Sequence, residues 1–288
     1  MLKTIKRYIP EPIKKLKRQA LIAIKKPELR YVEFHLTDHC NLNCKGCGHF
    51  SPISSPWYAN IDQHEKDMKR LSQLFYNIHT IRLMGGETLL HPEAASFISI
   101  TRKLHPKTDI RFVTNGLLLK NASDDFWITC RDTNTIIDLT VYPPLQPFVE
   151  ELRSLCKSKG VTLNPREVEL FHAHMNLKGD SDEHKNIAIC RRQMYCPFLQ
   201  NGHLYHCAMP PLIHYFNEQF QHHIPADEGI DIYSQSITGR KIIRLLEKPI
   251  SNCKYCEFDV VAFSWAKSSH RLEEWDVETQ RKLVGKNC

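Results

Sequence analysis

No stretch of this 288-residue chain approaches the ~18 consecutive apolar residues that a membrane-spanning helix requires. Near the N-terminus, Leu21-Ile22-Ala23-Ile24 is too short to be the apolar centre of a secretory signal, and lysines follow it at once. There is no phosphate-binding P-loop, no dinucleotide-binding glycine fingerprint and no Ser/His/Asp arrangement, which removes three large enzyme classes. A one-sided charge is also missing from most of the chain. The formal +7 comes from residues 1–30, where ten Lys and Arg stand against two Glu, and the other 258 residues carry −1. A neutral body argues against nucleic acid as a partner, because such binding rests on a basic surface. Hydrophobic residues make up 42% and charged residues 25%, values that exclude a disordered chain.

Cysteine is what the chain has in plenty. With no export signal, the expected compartment is a reducing cytoplasm. There, eleven cysteines, an odd number, read first as metal ligands or catalytic thiols and only then as disulfides. The basic arm reads as a helix over residues 13–26, stopped by Pro27. Ile13, Leu16, Ala20, Leu21 and Ile24 lie near one face, with lysines around the rest. That pattern suits either an anionic membrane surface, placing the protein peripherally on the inner face of a membrane, or packing on the body.

From residue 31 the sequence alternates between strand and helix patterns. Residues 31–36, 80–84, 109–113, 135–142 and 161–163 are short apolar or β-branched runs bounded by turn residues. Between them, Asp62 is expected to cap a helix with Met68, Leu71, Phe75 and Ile78 inward. Pro92 opens a second, with Phe97, Thr101 and Leu104 on one face, and Ser123 caps a third. Leu145, Phe148, Leu152 and Leu155 mark a fourth that ends at Gly160. Repeated βα units imply a parallel sheet, open or curled into a barrel, with ligands at the carboxyl ends of the strands.

Cys40, Cys44 and Cys47 follow the first strand as C-x3-C-x2-C. Zinc modules favour C-x2-C pairs and four ligands, whereas three thiolates suit a [4Fe–4S] cluster with one iron free for another ligand. The wording Cys40-Asn41-Leu42-Asn43-Cys44-Lys45-Gly46-Cys47 resembles the radical S-adenosylmethionine (SAM) superfamily. Met84-Gly85-Gly86-Glu87 after the second strand matches that family's Gly-Gly-Glu motif, and Thr114-Asn115-Gly116 closes the third strand as in related enzymes. The resemblance spans roughly residues 31–165.

It implies an α/β fold, a partial (β/α)6 TIM-like barrel. The open iron of a cluster on Cys40, Cys44 and Cys47 would chelate SAM, and Gly85, Gly86, Glu87, Thr114 and Asn115 would hold the bound cofactor. One electron from a reductant such as flavodoxin or ferredoxin would then cleave SAM to a 5′-deoxyadenosyl radical that abstracts a substrate hydrogen. The family usually carries an aromatic residue just before the third cysteine. This chain has Gly46 there, and His49 or Phe50 is the candidate to pack by the adenine instead.

Cys190, Cys196, Cys207, Cys253 and Cys256 form a second group. Asn201-Gly202 signals a two-residue hairpin turn. Counting outward pairs Gln200 with His203 and Cys196 with Cys207, and Cys253-Lys254-Tyr255-Cys256 can close a four-thiolate site. The layout is similar to the SPASM/twitch extension of radical SAM enzymes, which begins C-x(9–15)-G-x4-C. Cys190, Gly202 and Cys207 fit that spacing, so the family pattern points to Cys190 and the hairpin register to Cys196; the register, being geometric, makes Cys196 the expected ligand and Cys190 the alternative. The resemblance implies a second, auxiliary [4Fe–4S] cluster, and a zinc site on the same thiolates is the alternative.

The expected organisation is a basic arm over residues 1–30, a barrel core over 31–180, an auxiliary-cluster domain over 181–262 and a tail over 263–288. His35, His39 and Tyr142 stand where they can face the cavity. Cys130 and Cys156 read as core, and His172, His174, His222 and His223 as surface or core. The expected function is oxidation or epimerisation of a small or glycosyl substrate by a radical SAM enzyme. Peptide modification, or a non-catalytic iron–sulfur or zinc protein, are the other readings.

Overall fold

The computed structural model of the protein describes residues 26–285. Five strands run parallel and neighbour one another in chain order: β1 (Glu28–Thr37), β2 (Asn77–Gly85), β3 (Asp109–Thr114), β4 (Ile136–Val141) and β5 (Leu163–Glu167). Helices α1 (Ile61–Leu74), α2 (Ala94–Leu104), α3 (Asp124–Asp132) and α4 (Val149–Ser158) alternate with them. A strand order that never reverses winds the sheet one way, as in a β/α barrel, whereas a doubly wound sheet reverses at a switch point. The fold is α/β with a partial barrel.

Pro165 in β5 has no N–H to donate, which suits the edge at which the parallel run stops. The next strand, β6 (Leu170–Met175), therefore does not become the sixth barrel strand. After it come α5 (Glu183–Gln193) and a hairpin of β7 (Phe198–Gln200) and β8 (His203–Tyr205). Strand β7 lies parallel to β1 on the side away from β2. Helix α6 (Met209–Phe220) and a short β9 (Ile230–Asp231) follow, with β9 pairing on β8. Helix α7 (Gly239–Leu245) leads to β10 (Cys256–Ser264), which is the antiparallel partner of β6, and α8 (Val277–Gly285) follows.

The strands alternate in character. Val32, Phe34, Leu36, Ile81, Leu83, Ile110, Phe112, Ile137 and Leu139 join Met68, Leu71 and Phe97 of the helices in one apolar core. The intervening positions carry Glu33, Arg82, Arg111, Asp138 and Asn164, so the opposite face of the sheet is polar. Two local expectations shift. Asn60 caps α1, accepting a hydrogen bond from the Gln63 amide at 2.9 Å, because Asn60 is still extended while Asp62 already lies in the first turn. The helix ends at Leu74, so Phe75 is its C-cap and Ile78 belongs to β2, although both are buried as their apolar spacing implied. Ser123 caps α3 as expected, accepting from the Phe126 amide at 3.2 Å. The fourth helical pattern begins as a 3-10 turn over Pro143–Phe148, since Pro143, Pro144 and Pro147 cannot donate α-helical hydrogen bonds.

Residues 1–25 of the basic arm lie outside the described residues; Lys26 Nζ donates to the Ser72 carbonyl at 3.3 Å, and Glu28, Leu29 and Arg30, expected in the arm, already belong to β1. Among the described residues no helix is long and apolar enough to cross a membrane.

The hairpin has the expected register, with Gln200 opposite His203, and both Asn201 (φ 48°) and Gly202 (φ 79°) have the positive φ of a type I′ turn. Asp67 of α1 holds that turn. It is fully buried and accepts hydrogen bonds from the Gly202 amide (3.0 Å), the Tyr233 hydroxyl (2.6 Å) and Gln63 Nε2 (2.7 Å). Asp67→Ala strands these donors and is expected to lower stability by about 3 kcal/mol in denaturant unfolding.

His64 is fully buried, packed edge-on against Phe34, with Nε2 2.9 Å from Thr101 Oγ1. Burial pushes its pKa down to about 3. The unfolded chain then binds the extra proton, so stability falls as pH drops from about 6.5 towards 3. Between pH 6.5 and 5 the loss from this residue is about 2 kcal/mol, and His64→Gln should flatten that part of the unfolding profile.

Candidate active site

The carboxyl ends of β1 to β5 open on a cavity of about 210 Å³. Cys40, Cys44 and Cys47, on the loop after β1, form part of its wall. Gly85 and Gly86 from the end of β2, Thr114 and Asn115 from the end of β3, Tyr142 after β4 and Arg166 in β5 continue it.

Backbone contact sets the shape of this rim. The Gly86 amide donates to the Thr37 carbonyl at 2.8 Å and the Glu87 amide to the His39 carbonyl at 3.0 Å. A Cβ on Gly85 would stand 2.2 Å from the Thr37 oxygen, and one on Gly86 2.1 Å from the His39 oxygen, so only glycine allows the two loops to close. Glu87 itself is fully buried and off the cavity wall. Its carboxylate accepts from Thr114 Oγ1 (2.6 Å), the Asn115 amide (2.8 Å) and the Leu89 amide (3.0 Å), so it props up the end of β3. Burial raises its pKa, and these three hydrogen bonds work against that shift.

Three N–H donors aim at the cysteine sulfurs. Cys40 Sγ accepts from the Leu42 amide at 3.4 Å and from Asn115 Nδ2 at 3.6 Å; the same Asn115 nitrogen also reaches Asn41 Oδ1 at 2.8 Å. Cys44 Sγ accepts from Trp265 Nε1 at 3.1 Å. Burial pushes Cys40 and Cys44 up to about 12, so the bare thiols stay protonated and need a bound cation to ionise. Sulfurs already supplied with N–H donors around an open cavity suit the thiolate ligands of an iron–sulfur cluster with one iron facing that cavity. Among the described residues no three His, Cys, Asp or Glu side chains form a group that could hold a metal ion on their own.

The unusual Gly46 has a local cause. At φ 63° its missing Cβ would lie 2.7 Å from Phe263 Cζ and 2.8 Å from the Glu274 carbonyl. The C-terminal segment occupies the place an aromatic side chain would take. Of the two expected substitutes, Phe50 is fully buried against Phe216 and Trp275 and does not reach the cavity. His49 does line it, with burial and then His35 lowering its pKa to about 3.

His35 and His39 are not on the wall. His35 is buried edge-on against Phe198, with Nδ1 2.8 Å from Asp38 Oδ1, while the Tyr215 hydroxyl donates to the other Asp38 oxygen at 3.0 Å. His39 packs edge-on against Tyr58. Of the three residues expected to face the cavity, only Tyr142 does. Arg82, Asp138, Asn164 and Arg166, which the motifs did not flag, line it as well. Their signal was a polar residue at alternate positions of otherwise apolar strands. Cys130 and Cys156 are core residues, as expected.

The second group assembles from three separate segments. Cys190 on α5, Cys207 after β8, and Cys253 with Cys256 surround a small cavity of about 30 Å³. Asn186 Nδ2 donates to the carbonyls of Cys253 (2.9 Å) and Cys256 (2.8 Å), and Cys190 follows one turn later on the same helix face. Cys196, the ligand that the hairpin register favoured, is outside that wall, and Cys190 stands on it instead. Burial raises the pKa of all five thiols, Cys190 to about 11 and Cys256 to about 12.

This chain belongs to the Radical SAM superfamily, whose sequence pattern matches residues 34–194, more than half of its length. Its cofactors are accordingly a [4Fe–4S] cluster and SAM. It is 30% identical over 152 residues to a GTP 3′,8-cyclase of Syntrophomonas wolfei, an overlap of 52% of this chain and 46% of that protein. It is 32% identical over 98 residues to the molybdenum cofactor biosynthesis protein 1 of Dictyostelium discoideum, covering 33% of this chain and 15% of that one. The chain thus spans less than half the length of these curated relatives. Among solved structures, BtrN in complex with AdoMet and 2-DOIA has 13% identity and a TM-score of 0.46, over 80% of this chain and 94% of that one. The anSMEcpe protein with bound AdoMet has 19% identity and a TM-score of 0.40, over 48% and 43%.

Gly86→Ala forces backbone apart at the rim and is expected to cut iron retention in anaerobically reconstituted protein by about 10-fold or more, measured as iron per chain.

Proposed function

We propose that this protein is a radical SAM enzyme that oxidises a small, hydroxyl-bearing substrate, with Cys40, Cys44 and Cys47 holding the SAM-binding cluster. The observation that carries the reading is the convergence of those three thiols with Gly85, Gly86, Thr114 and Asn115 on one cavity. When bound, the cluster and SAM supply a 5′-deoxyadenosyl radical that takes a hydrogen atom from the substrate. The chain's own residues orient that event. Asn115 braces Cys40, and the close-packed glycines expose backbone to the methionyl end of SAM. The cavity continues over Asp138, Asn164 and Arg166, whose acceptors and donors suit a glycosyl or nucleotide substrate better than an apolar one.

Removing a second electron and a proton completes an alcohol oxidation, and the second cysteine group gives that electron a destination. We assign Cys190, Cys207, Cys253 and Cys256 to an auxiliary [4Fe–4S] cluster, on the strength of the cavity they share and the Asn186 bridge; Cys196 is the alternative to Cys190. Residues 181–262 then serve as the auxiliary-cluster segment, joined to the barrel sheet where β7 pairs with β1. A flavodoxin- or ferredoxin-type protein would supply the first electron.

A second reading, cyclisation of a nucleoside triphosphate, is favoured by the curated relatives named GTP 3′,8-cyclase and by the Arg166 cation on the cavity wall. Anaerobically reconstituted protein with dithionite and SAM should release 5′-deoxyadenosine, and Cys40→Ala should reduce that by more than about 100-fold. Intact cluster without any deoxyadenosine would defeat the proposal. Supplying GTP or nucleotide sugars and following a two-hydrogen mass loss by mass spectrometry separates the two readings. About eight irons per chain supports two clusters, and about four with one zinc supports a zinc second site.

A further inference from the structure

The segment after β10 crosses back to the cysteine loop and is stitched to it along its length. The Lys45 amide donates to the Ala266 carbonyl at 2.8 Å, and the Ser268 amide to the Asn43 carbonyl at 2.8 Å. Trp275 Nε1 donates to the Cys47 carbonyl at 2.8 Å. Within this seam the indole of Trp265 is held with Nε1 3.1 Å from Cys44 Sγ. Cys40 has two N–H donors, whereas Trp265 is the sole donor to the Cys44 sulfur among the described residues.

We propose that Trp265 acts through the Cys44 sulfur to set the reduction potential of the SAM-binding cluster. This rests on the reading that Cys40, Cys44 and Cys47 hold that cluster. The physical reason is charge. A one-electron reduction adds negative charge that spreads onto the ligand sulfurs, and a donor pointed at one of them stabilises the reduced state more than the oxidised one. The hydrogen bond therefore raises the potential and makes the cluster easier for its electron donor to reduce. The seam that positions Trp265 is the one that excludes any side chain at position 46, so the glycine there and the tryptophan at 265 belong to one arrangement.

The test is an EPR-monitored redox titration of full-length, reconstituted protein. It follows the signal that changes on SAM addition, which singles out the cluster with the open iron. Trp265→Phe is expected to keep the iron and to make reduction about tenfold less favourable, a shift of about 59 mV to more negative potential for one electron. An unchanged midpoint in a variant with full iron content would overturn the inference. Should Trp265→Phe lose its cluster, replacing Trp265 by 3-benzothienylalanine keeps the bicyclic shape and removes only the N–H. That protein should hold its iron and show the same negative shift; an unmoved midpoint or lost iron would overturn the proposal. A wild-type protein that binds no SAM-responsive cluster would instead sink the functional reading on which this rests.

Discussion

A single carboxylate, Asp138, organises the inside of the barrel. It sits in β4 at 5% exposure and accepts from Arg82 of β2 (2.7 Å), Arg111 of β3 (3.0 Å) and Asn164 of β5 (2.8 Å). Burying one carboxylate alone would cost several kcal/mol, and the two guanidiniums offset that. Four strands thereby share one polar anchor. Because side chains alternate along a strand, a one-residue slip would drive this ionic group into the helix-facing core, so it also fixes register. The polar face it creates runs up to the cavity, where Asn164 and Asp138 become part of the wall.

The two cysteine groups are built differently. The first lies on one short loop, and its neighbours do the holding: the glycine pair from β2, Asn115 from β3, and the segment after β10. The second has no local loop. It exists only because α5, the residues after β8 and the Ser251–Tyr255 turn are brought together, with Asn186 as the clasp. A fault in distant packing should therefore disturb the second group sooner than the first.

The parts of this structure that were legible in the sequence are those in which local chemistry decides. The strand runs, the Ser123 cap and the register around Asn201-Gly202 follow from propensity and turn geometry, and the structure has them. The C-x3-C-x2-C spacing was legible because its three thiols share one loop; the glycine pair was legible only as a motif, since the Thr37 and His39 carbonyls it meets lie on another element. Features decided by tertiary neighbours were not. Phe75 and Ile78 continued an apolar spacing past the end of α1, since burial does not distinguish helix from strand. Phe50 looked free to replace the missing aromatic, but Phe216 and Trp275 had claimed it. The choice between Cys190 and Cys196 turns on which face of α5 meets the Cys253 turn, something no spacing encodes. Trp265 carried no signal at all, as its partner lies on a different element.

The separation between Trp265 and Cys44 is 221 residues, and Trp275 reaches the Cys47 carbonyl across 228. On a ribosome the chain emerges N-terminus first, with the barrel strands in place long before this seam can close. The cysteine loop is thus exposed through most of synthesis and acquires its last hydrogen-bond donor only when residues through 275 have emerged. A chain that stops short of Trp265 and Trp275 would leave the Cys44 sulfur and the Cys47 carbonyl without these two donors.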